Sequence, residues 1–359
     1  MKYIKNKYMF VVLLLFSILL VSFGFTNIYV DQNQSISDDE FVVVTSFYPM
    51  YIAAMNIVGD TEGVTLKNLS EPQTGCLHDF QLTPADMKLL STADVFIING
   101  GGIESFMEDI ANQYPDLVVI EACEGIELLC ETDAHGHEHD VDVKDVDETH
   151  SEEKETEHHG DDEHDDADEE HTEEHITDSH EGENEDSHNH DVNAHAWMSV
   201  KNYRKQVDTI ATGLAQTIPE YSASFLANKE GYDAKLAKLQ EEQENLLILT
   251  QGKEVIMFHC AYDYVAEDMG LEVSFCMDLD EERQVSAGEV AEVLEVIKNH
   301  NIKYIFAEAL YGTSMCEMIQ KEADVEVIYL DPLNRGEYEA DSYIEGMKNN
   351  MKQISNSFK

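Results

Sequence analysis

Twelve of the sixteen histidines fall between His135 and His190, in a stretch otherwise made mostly of Asp and Glu. Imidazole and carboxylate together are ligands for divalent transition metals, and imidazole shifts the choice toward zinc, copper or nickel. A solvated acidic spacer is the plain alternative, because most charge runs are only that. Acid alone would serve a spacer; the histidines are what it does not require. The remaining four are His78, His195, His259 and His300.

These four gain meaning from the elements around them. After an N-terminal segment, β-rich runs alternate with helical patterns. Strands are expected at Phe41–Phe47, Val64–Leu69, Ala93–Asn99 and Leu117–Ala122. Helices are expected between them, at Tyr48–Val58, Thr83–Leu90 and near Glu104–Gln113, with Pro49 placed to open the first. Residues 200–249 read as helical, with one break at Pro219. The alternation then resumes, with strands at Glu254–His259, Leu271–Cys276, Lys303–Glu308 and Val325–Asp331. Such alternation predicts parallel sheets covered on both faces. The expected fold is α/β: two parallel-sheet lobes joined by a long backbone helix, with a cleft between them. The boundaries are an N-terminal lobe at 41–198, a connecting helix at 199–250 and a C-terminal lobe at 253–359. Residues 132–192 interrupt the first lobe with too little apolar content to offset ordering entropy, and are expected to be disordered.

In open α/β sheets, ligands bind beyond the carboxyl ends of the strands. His78 lies in the loop after the second strand, and His195 just before the connecting helix. His259 and Asp331 each end a strand. Three imidazoles and one carboxylate would make a tetrahedral site of zinc type, whereas manganese or calcium would draw more oxygen ligands. His300 ends a helix and is expected to serve the helix dipole instead.

Charge and cysteines narrow the setting. The formal net charge is −52. Residues 131–191 hold 28 acids and two lysines, which gives −26, so the rest of the chain supplies an equal share. Such a surface repels nucleic acid and attracts cations. Residues 1–30 read as an export signal or a membrane anchor: Lys2, Lys5 and Lys7 precede an apolar run from Met9 to Phe23, which is short for a span of roughly 20 residues. Either reading places the body outside the cytoplasm. The first cysteine is Cys76, which excludes a lipid on an N-terminal cysteine of the mature chain. Six cysteines permit disulfides, with Cys276–Cys316 and Cys123–Cys130 as candidate pairs. Cys76 and Cys260 adjoin two proposed ligands. A helix N-terminus at Cys260 would favour a thiolate. Neighbours along a strand point opposite ways, however, which argues for a disulfide or a buried thiol instead.

At this point the chain resembles a known family, the zinc- and manganese-binding solute-binding proteins of bacterial ABC importers. The resemblance runs from about Phe41 to Phe358, apart from the acidic insertion. Thr45-Ser-Phe-Tyr-Pro49 is similar to the family's first strand and turn. Gly75-Cys-Leu-His-Asp-Phe-Gln81 with Thr83-Pro-Ala-Asp86 resembles its first ligand loop. Asn193-Ala-His-Ala-Trp197 and Phe258-His-Cys-Ala-Tyr-Asp-Tyr264 resemble the second and third ligand segments. Phe306-Ala-Glu308 is similar to a family strand end, and Leu330-Asp-Pro-Leu-Asn334 resembles the segment with the carboxylate ligand. The resemblance implies that His78, His195, His259 and Asp331 bind the ion, and that a histidine at the third position means Zn²⁺. It implies no catalysis. It further implies a monomer that hands the ion to a membrane permease served by an ATPase. Leu77 stands where the family usually has proline, and Asn193-Ala194 where it has Asp-Pro. Two other readings stay open. A zinc hydrolase would need an open coordination position and a general base, and no His-Glu-x-x-His run occurs. An extracellular adhesin or metal buffer would need no transporter.

Overall fold

The computed structural model describes residues 40–75, 77, 80–130, 192–277, 279 and 285–359. The export segment, His78, Cys76 and the histidine-rich insertion therefore lie outside the described residues.

The first lobe consists of β1 (Phe41–Thr45), α1 (Tyr48–Val58), β2 (Val64–Asn68), α2 (Pro84–Leu90), β3 (Val95–Ile98), α3 (Met107–Gln113) and β4 (Val118–Glu121). Its strands form a parallel sheet in the order β2-β1-β3-β4. The proline expected to open a helix does so, and a second opens another. Pro49 lies in the first turn of α1, and Pro84 begins α2 beneath a capping box between Thr83 and Asp86.

Next come α4 (Val200–Thr217), α5 (Ser222–Glu244) and the short α6 (Leu247–Thr250). The break at Pro219 is a three-residue turn that folds the helical stretch back on itself. Ion pairs Arg204–Asp233 at 2.7 Å and Asp208–Lys229 at 2.8 Å fix an antiparallel register between α4 and α5. Both pairs lie at the partly exposed edge of the hairpin, so they set register more than they stabilise. The buried stripe of α4, including Tyr203, Val207, Ile210 and Leu214, carries the packing.

The second lobe repeats the plan of the first. It comprises β5 (Glu254–Met257), α7 (Asp263–Asp268), β6 (Glu272–Cys276), α8 (Ala287–His300), β7 (Tyr304–Ala307), α9 (Thr313–Glu322), β8 (Glu326–Tyr329) and α10 (Ser342–Ser357). Its parallel order, β6-β5-β7-β8, matches that of the first sheet. Alternate residues of β5 serve opposite faces. Val255 and Met257 join a core shared with the first lobe and the helical hairpin, while Ile256 and Phe258 join a separate core on the other face. No helix among the described residues is long and apolar enough to cross a membrane.

The candidate disulfides do not form. Cys123, Cys130, Cys276 and Cys316 are not disulfide-bonded, nor is Cys260. Cys123 lies instead against the Gln206 amide at 3.2 Å, and Cys130 sits in an isolated antiparallel bridge with Val192.

Candidate metal centre

Three strand ends and one return segment converge where the lobes meet. Val192 to Ser199 enters from the end of the insertion. Asn193 receives its bearing from the backbone, its N–H donating to Leu129 O at 2.7 Å. Its side chain then works in two directions. Nδ2 donates to Cys260 O at 2.7 Å and to Asp263 Oδ2 at 3.1 Å, reaching into the second lobe. Oδ1 accepts the His195 backbone N–H at 3.1 Å and lies 2.9 Å from His195 Nδ1. An amide oxygen can only accept, so Nδ1 carries the proton and Nε2 keeps the lone pair for a cation.

His195 is completely buried, its ring 5.0 Å from that of Trp197 and 5.1 Å from that of His259. Trp197 pins the segment to the second lobe by donating from Nε1 to Pro332 O at 2.8 Å. Tyr343 donates to Trp197 O at 2.8 Å, and Tyr264 to Asn193 O at 2.7 Å.

His259 lies two residues past the end of β5. Its backbone is extended, with φ −167° and ψ 127°, and Cys260–Tyr262 then turns as a single 3₁₀ turn. His259 and Cys260 are therefore not neighbours within a strand, and the alternation that would have separated their side chains does not apply. Among the described residues, His195, His259 and Cys260 form the one group of three ligand-type side chains whose donor atoms lie within 4.8 Å of one another. The sequence expectation that Cys260 would point away from His259 is thus corrected by the turn.

Behind His259 stands Glu308, just past the end of β7 and 5 % exposed. Its Oε2 is 3.7 Å from His259 Nδ1, and its Oε1 is 3.7 Å from Arg335 Nη2. These distances exceed hydrogen bonding, and Arg335 and Glu308 form a mostly buried charge pair behind the imidazole. A carboxylate on the Nδ1 side favours the tautomer that turns Nε2 to an ion and makes that nitrogen more basic.

Asp331 follows β8 by two residues. It shares with Glu308, Leu310, Pro332 and Arg335 a cavity of about 330 Å³. Asn350 holds its backbone on both sides, accepting Asp331 N–H at 2.8 Å and donating to Asp331 O at 2.7 Å. The Leu333 N–H donates to Oδ1 at 2.8 Å, with Leu333 at a positive φ of 54°. A branched side chain at that φ is strained, and the tight turn it closes fixes the carboxylate. Burial raises the Asp331 pKa, against the lowering pull of the Leu333 N–H and Arg335. Asp331 is outside the three-residue cluster. His195 and His259 are brought together, Asp331 is one cavity away beside Glu308, and His78 lies outside the described residues. Sequence reasoning did not assign the orienting contacts of Asn193 or the Glu308–Arg335 pair. Buried polar residues beside a proposed ligand would have been the signal for both.

Residues 43–357 match the family described as zinc-uptake complex component A, periplasmic. The chain belongs to this family. Members similar to it include the zinc-binding protein AdcA of Streptococcus pyogenes, 25 % identical over 326 residues. That match covers 90 % of this chain but 56 % of AdcA, so the chain spans just over half the length of that relative. The high-affinity zinc uptake system protein ZnuA of Bacillus subtilis is 26 % identical over 325 residues, covering 89 % of this chain and 88 % of its own. Among solved structures, the solute-binding protein FpvC of Pseudomonas aeruginosa, determined with Ni²⁺, superposes with a TM-score of 0.66 at 23 % identity. It covers 89 % of this chain and 97 % of its own, and at that identity it speaks for the two-lobed fold alone.

Proposed function

We propose that this protein captures Zn²⁺ outside the cytoplasm and delivers it to the permease of an ABC importer. The observation that carries the reading is the meeting of His195 and His259, one from each half of the chain, in a buried crevice between the lobes. Names of relatives support the metal: both AdcA and ZnuA are described by zinc. Two imidazoles with a thiol beside them suit zinc better than manganese, which favours oxygen ligands. His78 supplies a third imidazole in this reading, and Asp331 is the carboxylate candidate for the fourth position. Zn²⁺ is cargo: it enters between the lobes, is held, and leaves, with no bond in a substrate made or broken. The family description argues against the hydrolase reading, since it names an uptake component. We extend the proposal to an ATPase-driven permease, an N-terminal segment that serves export or tethering, and a monomeric working state.

Titration of the purified protein with Zn²⁺ tests the assignment. One tight site per chain is expected. His259→Ala should weaken it by at least about 100-fold, because loss of a direct ligand exceeds the 10- to 100-fold cost of losing an outer partner. Tight stoichiometric binding left unchanged by His259→Ala would sink the assignment.

A further inference from the structure

We propose that Cys260 is a thiolate ligand of the captured ion, taking the fourth position in place of Asp331 and giving the crevice a core of two imidazoles and one sulfur. This inference rests on the reading of the crevice as the metal site and specifies its chemistry.

The placement comes from the turn after β5. His259 is extended and Cys260 begins the 3₁₀ turn, so two consecutive side chains reach the same space. Cys260 is 94 % buried against the His195 ring, its Sγ 3.8 Å from the protonated Nδ1, and its sulfur and a ring nitrogen of each histidine lie within 4.8 Å of one another. The turn is held there by a bond that belongs to the site, from Asn193 Nδ2 to Cys260 O at 2.7 Å. The same amide orients His195, so one residue fixes imidazole and thiol together. In a tetrahedral site with Zn–S near 2.3 Å and Zn–N near 2.0–2.1 Å, donor-to-donor edges are about 3.3–3.6 Å. Binding would close the cluster from within 4.8 Å to those edges by side-chain rotation, of the kind common at binding sites.

The other thiols show the contrast. Burial pushes Cys123 up to about 12 and Cys316 up to about 11, and neither belongs to a ligand cluster among the described residues. They are core thiols of the ordinary kind. At Cys260, binding replaces the S–H bond by a bond to the metal, and the proton leaves to solvent: Cys–SH + Zn²⁺ gives Cys–S–Zn⁺ + H⁺. A sulfur ligand also sets preference. It favours zinc and the softer cadmium over manganese, which gains little from thiolate.

The full-length protein, reduced and loaded with Co²⁺ as an optical stand-in for zinc, provides the test. Wild type should show a near-ultraviolet thiolate-to-cobalt charge-transfer band that saturates at one ion per chain. Cys260→Ser should bind one Co²⁺ with tetrahedral visible bands, lack the charge-transfer band, and bind Zn²⁺ at least about tenfold more weakly. X-ray absorption on zinc-loaded wild type, which needs no variant to fold, should show one sulfur at about 2.3 Å besides nitrogen or oxygen at about 2.0–2.1 Å. A bound ion with no sulfur scatterer, or a charge-transfer band that persists in Cys260→Ser, overturns the role of Cys260 and leaves the zinc-site reading standing. A metal titration unchanged in His259→Ala overturns both.

Discussion

Asn193 does work that its type alone would not announce. Its amide donates across the lobes to Cys260 O and Asp263, and its oxygen sets the tautomer of His195. Replacing it with alanine removes the acceptor for His195 N–H and Nδ1 and strands buried partners in the second lobe. Asn193→Ala should therefore weaken Zn²⁺ binding by about 10- to 100-fold, the usual cost of losing a group that orients a metal-binding histidine. It should also destabilise the fold by about 1–3 kcal/mol, from buried polar groups left unpaired. Zn²⁺ calorimetry and urea unfolding measure the two effects separately. The residue scale also shows what the sequence could not carry. The meeting of His195 and His259 was readable from their place in the strand and helix pattern. Cys260 was not, because its direction depends on a turn that begins one residue after His259, and strand periodicity predicts the opposite face.

At the scale of elements, the strands were legible and their ends were not. The expected strands overran the C-terminal ends of the observed ones, Phe41–Thr45, Glu254–Met257 and Glu326–Tyr329, by two residues each. In the second lobe the overrun residues include His259 and Asp331: the chain leaves the ladder to aim them, while apolar composition continues past the last ladder pair. The turn after β3 is a further case. Gly100, Gly101 and Gly102 all adopt positive φ, and a Cβ on Gly100 would collide with the Glu121 side chain. Buried Glu104 closes this turn. It accepts from Asn99 N at 2.7 Å, Gly100 N at 3.0 Å and Ser46 Oγ at 2.8 Å. Burial outweighs those bonds and raises its pKa from 4.5 to about 7. The folded chain thus binds more protons than the unfolded one between those values. Stability is full below the unfolded value and declines as pH rises through the window, by about 3 kcal/mol in total from this group. Asp268, raised to about 6 by burial, acts in the same direction. Glu104→Gln should flatten the fall in unfolding free energy between pH 5 and pH 7, read from urea melts at several pH values. An unchanged slope would assign the pH dependence to other groups.

At the scale of the molecule, the acidic insertion and the buried crevice divide the labour. Half of the net charge of −52 lies in residues 131–191, with twelve histidines among the carboxylates, yet the cluster of convergent donors lies in the folded lobes. The fold brings the two edges of the insertion together. Cys130 bridges Val192, and Asn193 N–H bonds Leu129 O at 2.7 Å, two residues before His195. The insertion therefore leaves and rejoins the fold at a single point beside the proposed site. Its composition supplies many ligands with little apolar content among them, and the expectation drawn from that composition is of weak sites, because ordering on binding would cost affinity. Weak, exchanging contacts can still raise the local zinc concentration, much as linked sites raise effective concentration. Because the edges already meet, Ala134–Asp191 can be deleted with little change in the distance the chain must span. The deletion should abolish several weak Zn²⁺ sites in calorimetry, leave one tight site, and slow loading at limiting zinc. Loss of the tight site in a deletion variant that still unfolds cooperatively would place the ligands in the insertion and refute the division of labour.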